Sequence, residues 1–146
     1  MKQGLGDIWR WPGADVRVIT TNGDIKKDGT AVMGRGVALE AKKLFPGVES
    51  KFAKLLTENG NHVQVLGTNA SFSLVAFPTK HHWTENSSIS LILQSCREIV
   101  ELADKYSWKR IVLPRPGCGN GGLDWKKVQP HIEKILDDRF YVVYRP

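Results

Sequence analysis

Pro114-Arg115-Pro116-Gly117-Cys118-Gly119-Asn120-Gly121-Gly122-Leu123-Asp124-Trp125 is the stretch on which the reading of this chain turns. Four glycines fall within six residues. A short apolar run, Ile111-Val112-Leu113, precedes them, and an amphipathic run begins near Trp125. Strand, glycine loop and helix in that order form a cradle for an anion. Glycine lets successive backbone N–H groups converge with no Cβ in the way, and the following helix adds its positive N-terminal end. One or two glycines would serve a tight turn; four point to close approach of a phosphate-bearing molecule.

Working outward, the pattern alternates between strands and helices. Val16 to Thr20 reads as a strand, and Gly23 to Thr30 as a polar, charged loop. A helix opens at Gly34-Arg35-Gly36, with Val37, Ala38, Ala41, Leu44 and Phe45 at helical spacing, and stops at Pro46-Gly47. A second helix runs from Val48 to Glu58. Two strands follow, His62 to Leu66 and Phe72 to Phe77. The long helix spans Ser87 to Tyr106, with a stripe of Ile92, Cys96, Ile99 and Ala103. After the strand Arg110 to Leu113 and the glycine loop comes a helix from Trp125 to Leu136, capped by Asp124. Phe140 to Tyr144 is expected to close the sheet. This order predicts one domain over residues 1–146, a three-layer α/β/α sandwich with a mixed, largely parallel sheet. Ligands of such sheets bind beyond the carboxyl ends of the strands. Thr21 to Gly36, Pro78 to Trp83 and Pro114 to Asp124 all leave strand ends and are expected to converge there.

The chain has 146 residues, 21 Lys+Arg against 15 Asp+Glu, and a net charge of +6. That balance favours anionic partners, although no dense basic block occurs. Two cysteines, Cys96 and Cys118, make no disulfide framework and indicate a reducing compartment. No apolar stretch is long enough to cross a bilayer, and a cytoplasmic location is expected. Gly117-x-Gly119-x-x-Gly122 matches the dinucleotide fingerprint in form only, because the next strand ends in Arg145-Pro146 with no acidic residue for a ribose. No Lys-Ser/Thr pair follows the glycines, which excludes a Walker A loop. His62, His81, His82 and His131 lack metal-ligand spacing, so neither a metal nor a cofactor is expected. Cys118 reads as a small residue packed beneath the loop. Lys80, directly after an apolar strand, is a candidate cation or amine nucleophile.

Four groups of residues resemble the macrodomain family. They are Gly6-Asp7-Ile8, Thr20-Thr21-Asn22, Val32 to Leu39, and Phe77-Pro78-Thr79-Lys80 together with Pro114 to Trp125. The resemblance covers nearly the whole chain and is nearest the branch of DarG and the terminal ADP-ribose glycohydrolases. It implies an ADP-ribose site. Asp7 would accept a hydrogen bond from the adenine amino group and Ile8 would contact adenine through its backbone. Gly34, Gly36, Val37 and Ala38 would wrap the diphosphate and distal ribose from one side. Pro116, Gly117, Cys118, Gly119, Asn120, Gly121, Gly122 and Leu123 would cradle them from the other. Thr21 and Thr79 belong to the same ligand set. The resemblance implies catalytic roles for Lys80 and Asn22 near the scissile bond, in removal of ADP-ribose from a modified nucleic acid or protein. ADP-ribose or an ADP-ribosylated substrate such as DNA is the implied partner of a monomer. The alternatives are a non-catalytic ADP-ribose reader and an ADP-ribose 1″-phosphate phosphatase. Gly121 stands where one relative carries a catalytic aspartate, which shifts the chemistry toward Lys80. The charged loop Gly23 to Gly29 is expected either to touch a substrate or to be solvated.

Overall fold

The computed structural model describes residues 1–146. Six strands form one sheet: β1 (Lys2–Leu5), β2 (Val16–Asn22), β3 (Gln64–Thr68), β4 (Ser73–Lys80), β5 (Ile111–Pro114) and β6 (Phe140–Tyr144). Four helices join them: α1 (Gly36–Leu44), α2 (Val48–Asn59), α3 (Ile89–Tyr106) and α4 (Trp125–Ile132). The order across the sheet is β1-β6-β5-β2-β4-β3, parallel throughout except for β3, which runs antiparallel to β4.

Two-residue alternation along the central strands divides the core into two layers. Val16, Val18, Val75, Phe77, Ile111, Leu113, Phe140 and Val142 face α3 and α4, where they meet Ile92, Cys96, Ile99, Val128 and Ile132. The residues between them, Ile19, Leu74, Ala76, Val112 and Val143, face α1 and α2 and pack on Ala38, Ala41, Phe52 and Leu56. Both sheet faces are therefore covered, as the near-continuous apolar strands required. No helix is long and apolar enough to cross a membrane.

Two expectations are corrected. β6 does not close the sheet, because β1 pairs with it from Lys2↔Tyr141 to Leu5↔Tyr144. Lys2-Gln3-Gly4-Leu5 is mostly exposed and held by backbone pairing, so it carries no hydrophobic alternation to betray it. α4 ends at Ile132 and continues only as turns. Within the glycine loop, Gly119–Gly121 forms one turn of 3₁₀-helix.

The parallel arrangement places the carboxyl ends of β2, β4, β5 and β6 at one edge. Pro78 disturbs that edge. Proline has no N–H for the ladder and sits in sheets at bulges, and here the β2–β4 register slips, from Thr21↔Pro78 to Asn22↔Lys80. The bulge re-aims the strand end and sets Lys80 opposite Asn22. Asn61 Nδ2 donates to the Lys80 carbonyl at 3.1 Å, and Ser88 N to the Thr79 carbonyl at 2.9 Å, which ties the strand end to its surroundings.

Candidate functional site

A cleft of about 820 Å³ lies across these strand ends, within the size range of small-molecule sites. Its walls are Gly6 and Ile8 before β2, the β2 end with the Val32–Ala38 segment, the β4 end, the Gly117–Gly121 loop, and Val143 to Arg145. The three loops singled out in the sequence do converge. Lys26, Arg35, Lys80, Arg115 and Arg145 line the cleft; no aspartate, glutamate or histidine is among the lining residues, although Arg145 is ion-paired from behind with Asp7 and Glu40. A concave surface lined by one sign of charge concentrates the opposite ion.

Fourteen of the 18 residues singled out in the sequence line this cleft: Lys80, Asn22, Ile8, Thr21, Gly34, Gly36, Val37, Ala38, Thr79, Gly117, Cys118, Gly119, Asn120 and Gly121. Asp7, Pro116, Gly122 and Leu123 do not. Pro116 is buried beneath the loop. Leu123 packs against the α3 core layer. Gly122 turns the chain at φ +77°, where a Cβ would meet the Asn86 side chain at 2.8 Å rather than the cleft. Asp7 stands behind the rim. Its Oδ1 accepts from Trp9 N at 2.9 Å and pairs with Arg145 at 3.2 Å. Partial burial alone would raise the Asp7 carboxyl, but the Trp9 and Arg145 hydrogen bonds outweigh it and hold the group below its ordinary range. Arg145 also grips Glu40 through two hydrogen bonds, at 2.8 and 3.0 Å. Arg17 fixes the neighbouring turn by donating to the carbonyls of Ile8 and Trp11. The Ile8 carbonyl is thereby occupied and its N–H remains for a ligand.

Lys80 Nζ donates to the Asn120 carbonyl at 3.2 Å, linking the β4 end to the glycine loop across the cleft. An ammonium carries three N–H donors, so two remain for substrate. Asn22 plays a different part. Its Nδ2 donates to the Val32 carbonyl at 3.1 Å and its Oδ1 accepts from Asp24 N at 3.0 Å. Both ends of the amide bind the Gly23–Val32 loop, and Asn22 also lines the cleft. Cys118 Sγ donates to the Pro116 carbonyl at 3.7 Å, and burial pushes its thiol up despite Arg115 nearby. That leaves a thiol without a base, not an activated nucleophile.

Three buried polar atoms of the cleft walls have no partner within the chain: Thr21 Oγ1, Ser87 Oγ and Arg115 Nε. Arg17 Nε, Glu49 Oε2 and Asn61 Oδ1 are likewise buried and unpaired elsewhere in the chain, so these atoms do not single out the cleft. Ser87 was not legible in the sequence. It sits just before α3, donates its backbone N–H to the Gly121 carbonyl at 2.8 Å, and its Oγ lies 2.4 Å from where a Gly121 Cβ would stand. Gly121 is thus required by Ser87 as well as by any ligand. Arg115 escaped notice for another reason. Its guanidinium lies 3.7 Å from the Tyr144 ring centroid and 5.1 Å from that of Trp125, a stacking that depends on β6 returning beside β5.

The Gly23–Gly29 loop is anchored rather than free. The Asp24 carboxylate accepts from His82 Nδ1 at 2.9 Å and from Trp83 N at 2.7 Å, while Gly23 N donates to the His81 carbonyl at 3.1 Å. The Asp24 hydrogen bond, with Glu85 adding a weaker attraction, raises the His82 imidazole above its ordinary value of 6.5. Partial burial works against Asp24 ionisation, but the His82 and Trp83 hydrogen bonds lower it below its ordinary 3.8. A raised histidine adds stability that is complete below its unfolded pKa and is lost as pH climbs through the folded one. A lowered aspartate adds stability above its unfolded pKa that is lost as pH falls through the folded one. The latch is therefore strongest between about pH 4 and 6.5 and loosens above the raised His82 value. A titration followed by the Trp83 amide NMR shift should move together with the His82 ring resonances. Independent midpoints would show that the two are not linked.

An open, largely parallel α/β sheet with a glycine-lined cationic cleft across its strand ends is the layout in which α/β proteins commonly hold nucleotide-like anions. A family model described as Macro domain matches residues 20–132, and the chain belongs to that family. Among solved structures, it is similar to the macrodomain of Mycobacterium tuberculosis DarG, with TM-score 0.83 and 27% identity over 99% of this chain and 97% of that one. The macrodomain of Thermus aquaticus DarG gives TM-score 0.80 and 29% identity, with the same coverage. Thermosipho africanus DarTG in complex with ADP-ribose gives TM-score 0.78 and 28% identity, covering 99% of this chain and 42% of that one. A DNA ADP-ribosyl glycohydrolase of Thermus aquaticus is 33% identical over 114 residues, 73% of this chain and 31% of the relative. The chain spans about a third of the length of that protein and of the Thermosipho africanus fusion protein it also matches.

Proposed function

We propose that this macrodomain binds ADP-ribose and hydrolyses it from a modified nucleic acid, with Lys80 as the catalytic residue. The observation that carries the reading is a cleft lined by Lys26, Arg35, Lys80 and Arg115 with no carboxylate among its lining residues, in which Lys80 reaches from the β4 end to the glycine loop. The similarity to proteins named DNA ADP-ribosyl glycohydrolases supports the substrate class.

In this reading adenine enters at Ile8 and Asp7. The diphosphate lies between Gly34–Ala38 and Gly117–Gly121, and the distal ribose reaches Lys80. The two-carboxylate route of most glycosidases has no residues here to run it. Lys80 instead donates a proton to the leaving base as its bond to ribose C1″ breaks. The oxygen of a water molecule bonds to C1″, and the proton which that water loses restores the ammonium. The cationic walls hold the diphosphate in register beside the breaking bond. In the same reading the macrodomain over residues 1–146 acts as a monomer. Two cysteines outside any disulfide, Cys96 with its thiol pushed up to about 12 by burial, suit a reducing cytoplasm.

The test is release of ADP-ribose from an oligonucleotide carrying ADP-ribosylated thymidine, from ADP-ribosylated RNA and from ADP-ribosylated protein. Turnover on nucleic acid supports the proposal; none on any substrate refutes it. The missing carboxylate favours one second reading, a reader that binds ADP-ribose without turnover, and calorimetry beside the same assay separates the two. Release of inorganic phosphate from ADP-ribose 1″-phosphate would identify the phosphatase alternative instead. At the adenine end, Asp7→Ala is expected to weaken ADP-ribose about tenfold, the value of a hydrogen bond to a charged group. It should also erase the preference over inosine diphosphate ribose, which lacks the amino group. Unchanged preference would remove Asp7 from the site.

A further inference from the structure

Five tryptophans occur in the chain, and four have aromatic or cationic partners. Trp9 packs against Phe45, Trp11 against Tyr141 and Trp108 against Tyr106, and Trp125 lies beneath Arg115. Trp83 has none. It is 49% exposed, yet it lines the cleft together with Asn22, Lys26 and Lys80. An indole left half in water forfeits the burial that usually places tryptophan, and here the chain holds it there. Asp24 fixes the Trp83 backbone N–H and the preceding His82 ring at once, and Asn22 fixes Asp24. The latch therefore connects a cleft-wall residue of β2 to the ring beside the Lys80 end.

We infer that Trp83 is the stacking platform for the nucleobase attached to the distal ribose, and so a specificity-determining residue that selects nucleic acid over protein as the carrier of ADP-ribose. The inference rests on the ADP-ribose reading of the cleft. Every nucleobase has a flat face that an indole covers, and one such stack contributes about 5- to 150-fold in affinity. A carboxylate, hydroxyl or guanidinium side chain bearing ADP-ribose offers less surface to an indole or none. Lys26 stands in the same stretch of wall and Lys27 beside it on the anchored loop, placing positive charge where phosphates flanking the modified nucleotide would run. Trp83 lies outside the segments that would hold the diphosphate, so its contribution is to what ADP-ribose is attached to, not to ADP-ribose itself.

The experiment measures binding in the Lys80→Ala background, so that substrate survives. The probes are free ADP-ribose, a short single-stranded DNA carrying one ADP-ribosylated thymidine, and an ADP-ribosylated peptide. The DNA is expected to bind more tightly than ADP-ribose, and the peptide no more tightly. Trp83→Ala should remove about 5- to 150-fold of the DNA affinity and leave ADP-ribose affinity within about twofold, which also reports a folded cleft. Trp83→Phe should restore most of the loss. Equal binding of DNA and ADP-ribose overturns the platform, as does parallel weakening of both by Trp83→Ala or a peptide advantage equal to that of DNA. Turnover by the Lys80-containing protein is scored separately. Trp83-dependent binding without release keeps the platform and refutes hydrolysis; release without Trp83 dependence does the reverse; no ADP-ribose binding refutes both.

Discussion

Replacing Lys80 with alanine is expected to slow release of ADP-ribose from ADP-ribosylated thymidine DNA by about 10²- to 10⁴-fold, the range for loss of one positioned proton donor. Affinity for free ADP-ribose should change far less, because Arg35, Arg115 and Arg145 still line the cleft. The loss belongs in turnover under single-turnover conditions and not in binding. Lys80→Arg keeps the charge but cannot give up its proton near neutral pH; it should recover affinity and not rate. Recovery of rate by arginine would make the residue an electrostatic clamp. A covalent adduct captured by borohydride reduction during turnover would make it a nucleophile. Equal release by wild type and Lys80→Ala would remove it from the chemistry altogether.

Substituting Gly117 with alanine is expected to destabilise the fold and the site together. The residue sits at φ +77°, and a Cβ there would stand 2.6 Å from Ile92 Cδ1, 3.0 Å from Leu123 Cδ1 and 3.1 Å from Ser87 Cβ. Ile92 is fully buried in the α3 layer and cannot retreat. Left-handed strain of about 1–2 kcal/mol adds to overpacking of about 1–3 kcal/mol. A fall in Tm on the order of 10 °C follows for a chain of this size, with loss of ADP-ribose binding. Gly119 is the control. It has φ +76° but a Cβ there would meet no atom within 4 Å. Gly119→Ala should cost only the strain, while Gly119→Val should project its methyls into the cleft and impair binding with a much smaller Tm change. Equal Tm losses at the two positions would contradict the packing difference between them.

Much of this architecture was readable in the chain. The alternation in β2, β4, β5 and β6 and the helical stripe of α3 each depend on local spacing, and spacing reflects burial directly. Lys80 was readable as a residue at the end of an apolar strand, and the glycine loop as a cleft wall, because both belong to contiguous motifs. β1 was not readable, since edge pairing with β6 satisfies its backbone without an apolar pattern. Ser87, Arg115, Trp83 and Arg145 were missed at the cleft for a related cause. Each is an ordinary polar or aromatic residue whose meaning comes from a partner far along the chain: Gly121, Tyr144, Asp24 and Glu40 respectively.

The sequence alone therefore determined a mixed α/β sandwich with a glycine-rich loop after the strand that ends at Pro114, because strand period, helix period and glycine conformational freedom are properties of neighbouring residues. Tertiary structure decided how the site is divided among them. It gave Asn22, a catalytic candidate that lines the cleft, two hydrogen bonds to the Gly23–Val32 loop, set Asp7 behind Arg145, and gathered five cations from separate segments around one cleft. Those assignments depend on which atoms meet across the sheet edge, where the Pro78 bulge and the parallel strand ends set the distances.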